Sequence, residues 1–203
     1  MARSAPLTQA VPAWDLFLRI FHWTLASLMV ASVTTGLLGG NLMKWHMWSG
    51  YGILGLLAFR LAWGFVGGPT ARFAAFLRGP GAVWAHLQDL LRRRSSFHLG
   101  HNPLGGWMVV LMLLAVLFQA ATGLFSNDDI ATEGPLYQYI SKELSDRLTG
   151  LHKLNVKLLY GLVGLHVAAI AFYFFARGEN LVGPMIHGRK SLPPEPEPEK
   201  DPQ

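Results

Sequence analysis

The sequence predicts an all-α integral membrane protein: a four-helix bundle with an interfacial helical connection on the cytoplasmic side. Three observations support this fold class. Only 14% of the 203 residues are charged, whereas about a quarter of a soluble domain is charged. The hydrophobic residues gather in four runs, each long enough for the roughly 20 apolar positions that a bilayer core requires. The third run contains no charged residue, although a helix of a soluble bundle needs a polar outer face.

The four predicted spans cover residues 16–38, 45–66, 104–125 and 150–176, each to within a few positions. Together they form one domain, residues 14–190, which follows a short cytoplasmic segment, residues 1–13. That segment lacks the apolar core and cleavage site of a signal peptide, so none is predicted. Residues 191–203 are rich in proline and charge, and a disordered tail is expected there because such a composition cannot bury a core.

The charges between the spans predict the orientation. The connection between spans two and three is basic, because it holds a single acid, Asp89, against five arginines: Arg72, Arg78, Arg92, Arg93 and Arg94. The loop between spans three and four is acidic, with Asp128, Asp129, Glu133, Glu143 and Asp146 against two cations. Since basic flanks stay in the cytoplasm, both termini and the basic connection are predicted to face the cytoplasm of a bacterial cell, with the spans in its inner membrane.

Two connections are expected to contain helix. The basic connection mixes apolar and cationic positions, which predicts interfacial helix pieces, broken at Gly79-Pro80-Gly81, that contact lipid headgroups. The stretch "GPLYQYISKELSDRLTG" of the acidic loop predicts a short amphipathic helix that lies on the outer surface. The net charge of +5 is thereby explained by a membrane surface, and no nucleic-acid partner is expected.

Four histidines fall at two levels of this topology. His22 and His166 lie toward the cytoplasm, and His46 and His152 lie toward the outer side. Histidine in a hydrocarbon environment is costly and marks a functional site. The 14 residues from His152 to His166 bring both imidazoles to nearly the same side of one helix, about 21 Å apart along the axis. Each can therefore meet a histidine of another span, and two imidazoles that face each other in a bundle can ligate a haem iron.

Cysteine is absent from the chain, which excludes thiolate metal sites, iron–sulfur ligation and covalent haem attachment. A lone histidine at a membrane interface is usually a polar anchor, and His46 and His152 have that alternative. Lys153 and Lys157 lie one helical turn apart on one face. They are predicted to pair with propionates of an outer haem, the alternative being that they anchor the helix at the interface.

Three stretches resemble a known family. "WDLFLRIFHW" in the first span, "GHNPLGG" before the third and the histidine pair of the fourth are similar to the bacterial cytochrome b561 / nickel-iron hydrogenase cytochrome b family, with support from "RLAWGFVGGPTARF". The resemblance implies a di-haem b-type membrane protein that exchanges electrons with quinones. It implies four iron ligands and two haem b groups, held by the pairs His22/His166 and His46/His152.

The leading functional hypothesis is electron transfer between the quinone pool and a periplasmic redox partner, either a c-type cytochrome or a hydrogenase or other dehydrogenase. The quinone is expected beside the cytoplasmic haem. His98 and His101 are expected to be solvated or interfacial, with contact to a propionate or a quinone as the alternative. Whether the chain is itself an enzyme stays open at this point.

Two other functions compete with this hypothesis. Superoxide oxidation coupled to quinone reduction also occurs in the family, but an acidic outer loop repels a superoxide anion. A histidine-based metal transporter is the third hypothesis. Transport sites lie near the midplane and often include carboxylates, whereas this chain has two separate histidine levels and no acid within the spans.

Overall fold

The computed structural model describes residues 10–92 and 98–191. In order, its α-helices there are α1 (Leu16–Leu38), α2 (Met43–Val66), α3 (Phe73–Phe76), α4 (Pro80–Leu91), α5 (Pro103–Gly123), α6 (Lys142–Arg177) and α7 (Val182–His187). Two short strands, β1 (Ala10–Pro12) and β2 (Arg189–Ser191), pair antiparallel. Helices α1, α2, α5 and α6 are long and apolar enough to cross a membrane, so the predicted all-α membrane bundle is confirmed.

The fourth span is longer than the sequence predicts. Residues 142–149 were expected in a separate helix on the outer surface, and they instead form the first turns of α6. Ser141 caps this helix by accepting a hydrogen bond from the Leu144 N–H. Gly150 interrupts the pattern, but one helical glycine costs only about 1 kcal/mol. The fully buried Ser145 donates to the Phe125 carbonyl at 2.7 Å, which ties these turns to the end of α5.

The connection between α2 and α5 contains two helices, as the sequence predicts. The break lies just before Pro80, and both Pro80 and Gly81 belong to α4, because proline is well tolerated in the first turn of a helix. Arg93 and Arg94 lie outside the described residues, and so do residues 192–203 of the expected tail. Ser191, the first residue of that tail, pairs with Ala10 across the β1–β2 ladder.

The helices pack as two hairpins. Helix α1 lies along α2, α5 lies along α6, and α2 contacts α5 between them. By contrast, within the described ranges the backbone of α6 comes close to those of α1 and α2 at only a few points, if at all. A space between α6 and the first hairpin is therefore left for side chains or a bound group.

Candidate functional site

The four intramembrane histidines meet as two pairs across that space. The rings of His22 on α1 and His166 on α6 have centroids 6.4 Å apart and an interplanar angle of 52°. The rings of His46 on α2 and His152 on α6 are 6.1 Å apart at 80°. We call His22/His166 the proximal pair, because it lies at the end of the bundle where both chain termini lie, and His46/His152 the distal pair.

The spacing of both pairs fits a metal ion between the rings. A metal–imidazole bond is about 2 Å long, and a ring nitrogen lies about 1 Å from its ring centre. Two imidazoles that bind one ion from opposite sides therefore have centroids about 6 Å apart. The observed 6.1 and 6.4 Å agree with that value.

The distal pair has its tautomers set by backbone carbonyls. His46 Nδ1 donates to the Ser32 carbonyl at 2.8 Å, and His152 Nδ1 donates to the Gln119 carbonyl at 2.9 Å. A carbonyl only accepts, so each Nδ1 carries the proton and each Nε2 keeps a lone pair. This is the arrangement that orients a neutral histidine as a metal ligand.

Two glycines make room for the distal rings. A Cβ atom at Gly36 of α1 would lie 2.8 Å from His46 Nδ1, and one at Gly123 of α5 would lie 3.1 Å from His152 Cε1. Gly52 serves helix packing instead, since its Cβ would meet Leu28 at 2.9 Å. The structure thus separates two uses of small residues that the sequence leaves mixed.

The proximal pair has different surroundings. His22 Nδ1 is buried and has no hydrogen-bond partner in the described part of the chain. Trp23 packs edge-on against the His22 ring, with centroids 5.1 Å apart. No backbone carbonyl therefore selects the tautomer of His22, in contrast to both distal histidines.

An apolar layer separates the two levels. Its buried members come from three helices: Ile53 and Leu57 of α2, Ala115 and Val116 of α5, and Leu159 and Leu162 of α6. On α6 the two leucines lie between His152 and His166. The bundle therefore has polar sites near its two ends and a packed apolar centre.

The stretch "WDLFLRIFHW" builds the proximal end of α1. Asp15 caps the helix by accepting from the Leu18 N–H at 2.8 Å, and it also accepts from Trp63 Nε1 of α2. Arg19 donates to the Ile186 carbonyl and Trp23 donates to the Met185 carbonyl, both on α7. These contacts hold the first turns of α1 against α2 and α7, which positions His22.

The stretch "GHNPLGG" builds the start of α5. Asn102 caps the helix through Oδ1, which accepts from the Gly105 N–H at 2.7 Å, while its Nδ2 donates to the Tyr173 hydroxyl of α6 at 2.8 Å. At Gly106 a Cβ would lie 2.7 Å from the Phe76 carbonyl oxygen, so only glycine allows this close approach. The motif therefore joins α3, α5 and α6 beside the proximal pair.

His101 of this motif packs between two aromatic rings but leaves Nδ1 without a hydrogen bond in the described residues. Its ring lies between those of Trp14 and Phe76, at centroid distances of 4.6 and 4.9 Å. The Nδ1 atom is also buried. Burial lowers the pKa of His101 to about 4, and the nearby charge of Arg60 adds to the shift. His101 is therefore a neutral imidazole at pH 7 with one nitrogen unused.

A pocket of about 350 Å³ opens beside His101. Its lining includes Thr70, Arg78 and His98 as well as His101 and the Phe76 ring. His98 also packs edge-on against His86, with ring centroids 5.3 Å apart. The pocket combines an apolar wall with a few polar groups, and its volume is at the lower end of the range for small-ligand sites.

The predicted lysines lie at the surface of α6. Lys153 and Lys157 are both exposed, and neither forms an ion pair within the described ranges.

Residues 10–92 and 98–191 contain no group of three or more histidine or acidic side chains arranged to hold a metal ion.

Sequence reasoning missed one polar residue inside the bundle, Asn155, and places another, Arg60, at the membrane interface, where its side chain would snorkel. Asn155 of α6 is buried and donates to the Ala115 carbonyl at 2.9 Å and to Gln119 Oε1 at 2.8 Å. Since the Gln119 carbonyl also accepts from His152, Asn155 supports the distal pair. Arg60 of α2 is 2% exposed. The spacing in the sequence indicates that Arg60 faces the bundle interior, because Arg60 follows His46 by the same 14 residues that separate His152 from His166.

The loop between α5 and α6 presents carboxylates at the distal end. Hydrogen bonds from the backbone N–H groups of Thr132, Ala131 and Ile130 hold the pKa of the Asp128 carboxyl well below its usual range. Lys142 forms ion pairs with Asp129 at 2.6 Å and with Asp146 at 3.0 Å. Lys142, Asp129 and Asp146 are exposed, so the ion pairs contribute little stability, but they order a charged surface.

Four membrane-spanning helices that bring imidazoles together in pairs near both ends define a class: the membrane-embedded b-type cytochromes that transfer electrons. The family model for prokaryotic cytochrome b561 matches residues 13–188. The chain therefore belongs to that family, whose members bind haem b, and the resemblance seen in the sequence is confirmed. Comparison with curated proteins gives no match.

Proposed function

We propose that this protein holds two haem b groups, one between His22 and His166 and one between His46 and His152, and carries electrons across a bacterial inner membrane. Electrons would pass between the quinone pool and a redox protein on the periplasmic face. The observation that supports this proposal most strongly is the ring spacing of 6.4 and 6.1 Å in the two pairs, which suits an iron ligated from both sides.

The ligand set favours electron transfer over chemistry at the metal. An iron with two axial histidines has no open position for a small molecule such as oxygen. When bound, the haem supplies one-electron redox chemistry, and the chain supplies orientation, burial and charge. The carbonyls of Ser32 and Gln119 orient the distal ligands.

Orientation follows from the basic connection between α2 and α5. With this connection in the cytoplasm, the proximal pair lies toward the cytoplasm and the distal pair toward the periplasm. The ligands of the two levels are about 21 Å apart along α6. One haem near each surface thus forms an electron path through the bilayer.

The quinone would bind in the pocket beside His101, next to the proximal haem. A buried polar atom without a partner costs about 1–3 kcal/mol, and a ligand that pairs with His101 Nδ1 recovers that cost. A quinone carbonyl accepts a hydrogen bond, and a neutral imidazole that carries its proton on Nδ1 donates one. The aromatic ring of Phe76 offers an apolar wall for the quinone ring.

Proteoliposomes that contain a quinol and an external oxidised c-type cytochrome test this proposal. We expect wild-type protein to be reduced by quinol and to pass electrons outward. His101→Phe should slow reduction by quinol about tenfold, the equivalent of one lost hydrogen bond of about 1.4 kcal/mol. Haem content and reduction by dithionite should not change.

His187→Asn is the matched control, because His187 is an exposed histidine on α7 at the same end of the bundle. Its quinol reaction should equal that of the wild type. Unchanged quinol reduction in His101→Phe would contradict the assignment of the pocket. A near-diffusion-limited reaction with superoxide at the periplasmic face would favour superoxide oxidation instead.

The outer haem's propionates are proposed to lie near Lys153 and Lys157, which share a face of α6. Removing either cation leaves a propionate less well compensated, so Lys153→Ala and Lys157→Ala should each lower the midpoint potential of one haem. Redox titration of the purified holoprotein measures this shift. If the potential and occupancy of the outer haem stay unchanged in both variants, the lysines act only as interfacial anchors.

The periplasmic partner is proposed to be basic, as a c-type cytochrome is, with a hydrogenase or other dehydrogenase as the alternative donor. The exposed carboxylates between α5 and α6 would attract such a partner, and this attraction weakens as salt screens the charges. The same carboxylates repel superoxide, which is why electron transfer to a protein is preferred here.

A further inference from the structure

Arg60 is a buried cation that forms no ion pair within the described residues. Its side chain is 2% exposed, and Nη1 has no hydrogen-bond partner in the described residues. Nη2 donates to the Ala71 carbonyl at 3.0 Å. Asp15, an acid at the same end of the bundle, attracts Arg60 through space, but its carboxylate is hydrogen-bonded to Leu18 and Trp63 and forms no ion pair with Arg60. A buried guanidinium without a counter-charge is costly, so an anionic group from outside the chain is expected to compensate it.

The position of Arg60 on α2 places it at the proximal level. It follows His46 by 14 residues, so it lies on nearly the same face of α2 and about 21 Å closer to the end where the termini lie. On α6, His166 has the same relation to His152. Arg60 therefore occupies, on α2, the place that corresponds to the proximal ligand of α6.

Side-chain contacts connect Arg60 to the surroundings of the proximal pair. The guanidinium lies 4.8 Å from the Phe73 ring centroid and 6.0 Å from that of Phe76. The Phe76 ring in turn packs on His101 at 4.9 Å. Arg60, His166 and His22 all lie within electrostatic reach of the His101 ring.

We propose that Arg60 binds a propionate of the proximal haem and thereby raises the reduction potential of that haem. The inference rests on the proposed function, since it requires a haem between His22 and His166. A guanidinium and a carboxylate form strong, paired hydrogen bonds, and Arg60 Nη1 is available for one. Arg60 does not line the pocket beside His101, so its ligand is the haem and not the quinone.

Another arginine at this end does not fit the same role. Arg19 also has a buried nitrogen, Nε, without a hydrogen-bond partner in the described residues. Its guanidinium, however, donates to the Ile186 carbonyl, and a Cβ atom at Gly188 would lie 3.2 Å from its Cζ and Nε atoms. Its guanidinium is therefore covered by the turn after α7.

Arg72 is exposed and donates to the Gly67 carbonyl at 2.8 Å, which makes it a suitable control for substitutions of Arg60.

The test compares purified holoprotein of the wild type with Arg60→Gln, Arg60→Lys and Arg72→Gln in a redox titration followed by haem absorbance. We expect Arg60→Gln to shift one of two midpoint potentials downward and to increase loss of that haem on dilution. Arg60→Lys should restore part of the potential, and Arg72→Gln should match the wild type. In a His46→Ala background, which keeps only the proximal haem, the shift caused by Arg60→Gln should persist.

A purely structural role of Arg60 predicts a different result. If Arg60 only ties the chain at Ala71, then Arg60→Gln lowers thermal stability while both potentials stay at their wild-type values, and this outcome overturns the inference. Wild-type protein that binds fewer than two haems would instead overturn the proposed function itself. The two failures are therefore distinguishable in one experiment.

Discussion

Replacement of His22, His46, His152 or His166 by alanine is expected to remove about one of the two haems from the purified protein. In the proposed sites each imidazole provides one of two axial bonds to an iron, so its loss would open one coordination position and weaken retention of that haem alone. Haem b per chain, measured as the pyridine haemochrome, should fall from two to about one in every variant. Electron transfer from quinol to an external acceptor should be abolished, because either loss interrupts the path.

The four variants should divide into two spectral groups. His22→Ala and His166→Ala should lose the same absorbance component, and His46→Ala and His152→Ala should lose the other, because the rings meet in these pairs. His187→Ala, on the exposed part of α7, serves as the control and should keep both haems. Loss of a haem in His98→Ala or His101→Ala, with retention in one of the four ligand variants, would refute the assignment.

Gly36→Ala is expected to weaken retention of the distal haem about 10- to 100-fold, the range found when the groups that orient a metal ligand are disturbed. The added Cβ would lie 2.8 Å from His46 Nδ1, the atom that donates to the Ser32 carbonyl. The ring must therefore shift and lose that hydrogen bond. Gly123→Ala should have the same effect to a smaller extent, because its nearest approach to His152 is 3.1 Å.

Gly55→Ala on α2 and Gly161→Ala on α6 are the matched controls for this experiment. Each follows its distal histidine by nine residues, which places it on the opposite side of the helix. A Cβ there meets no atom within 4 Å in the described structure. Both controls should keep both haems and gain about 1 kcal/mol of helix stability. Equal haem loss in Gly36→Ala and Gly55→Ala would show that helix packing, and not the ring contact, is responsible.

The sequence alone determined the architecture and the levels at which the four histidines lie. Bilayer thickness demands long apolar runs, and those runs are visible without any tertiary information. The positions of His22, His46, His152 and His166 follow from the order of the spans and from helix geometry. The 14-residue spacing on α6 places two imidazoles on one face in any α-helix, and the structure brings each of them close to the expected partner.

Only the tertiary structure decided what surrounds those histidines. Burial of Arg60, the missing partner of His101 Nδ1 and the approach of Gly36 to His46 depend on contacts between helices that are distant in sequence. The same is true of α6, which continues through Gly150 because Ser145 is tied to the end of α5. Periodicity along one helix specifies which residues share a face, but the neighbours that this face meets are specified by packing across the bundle.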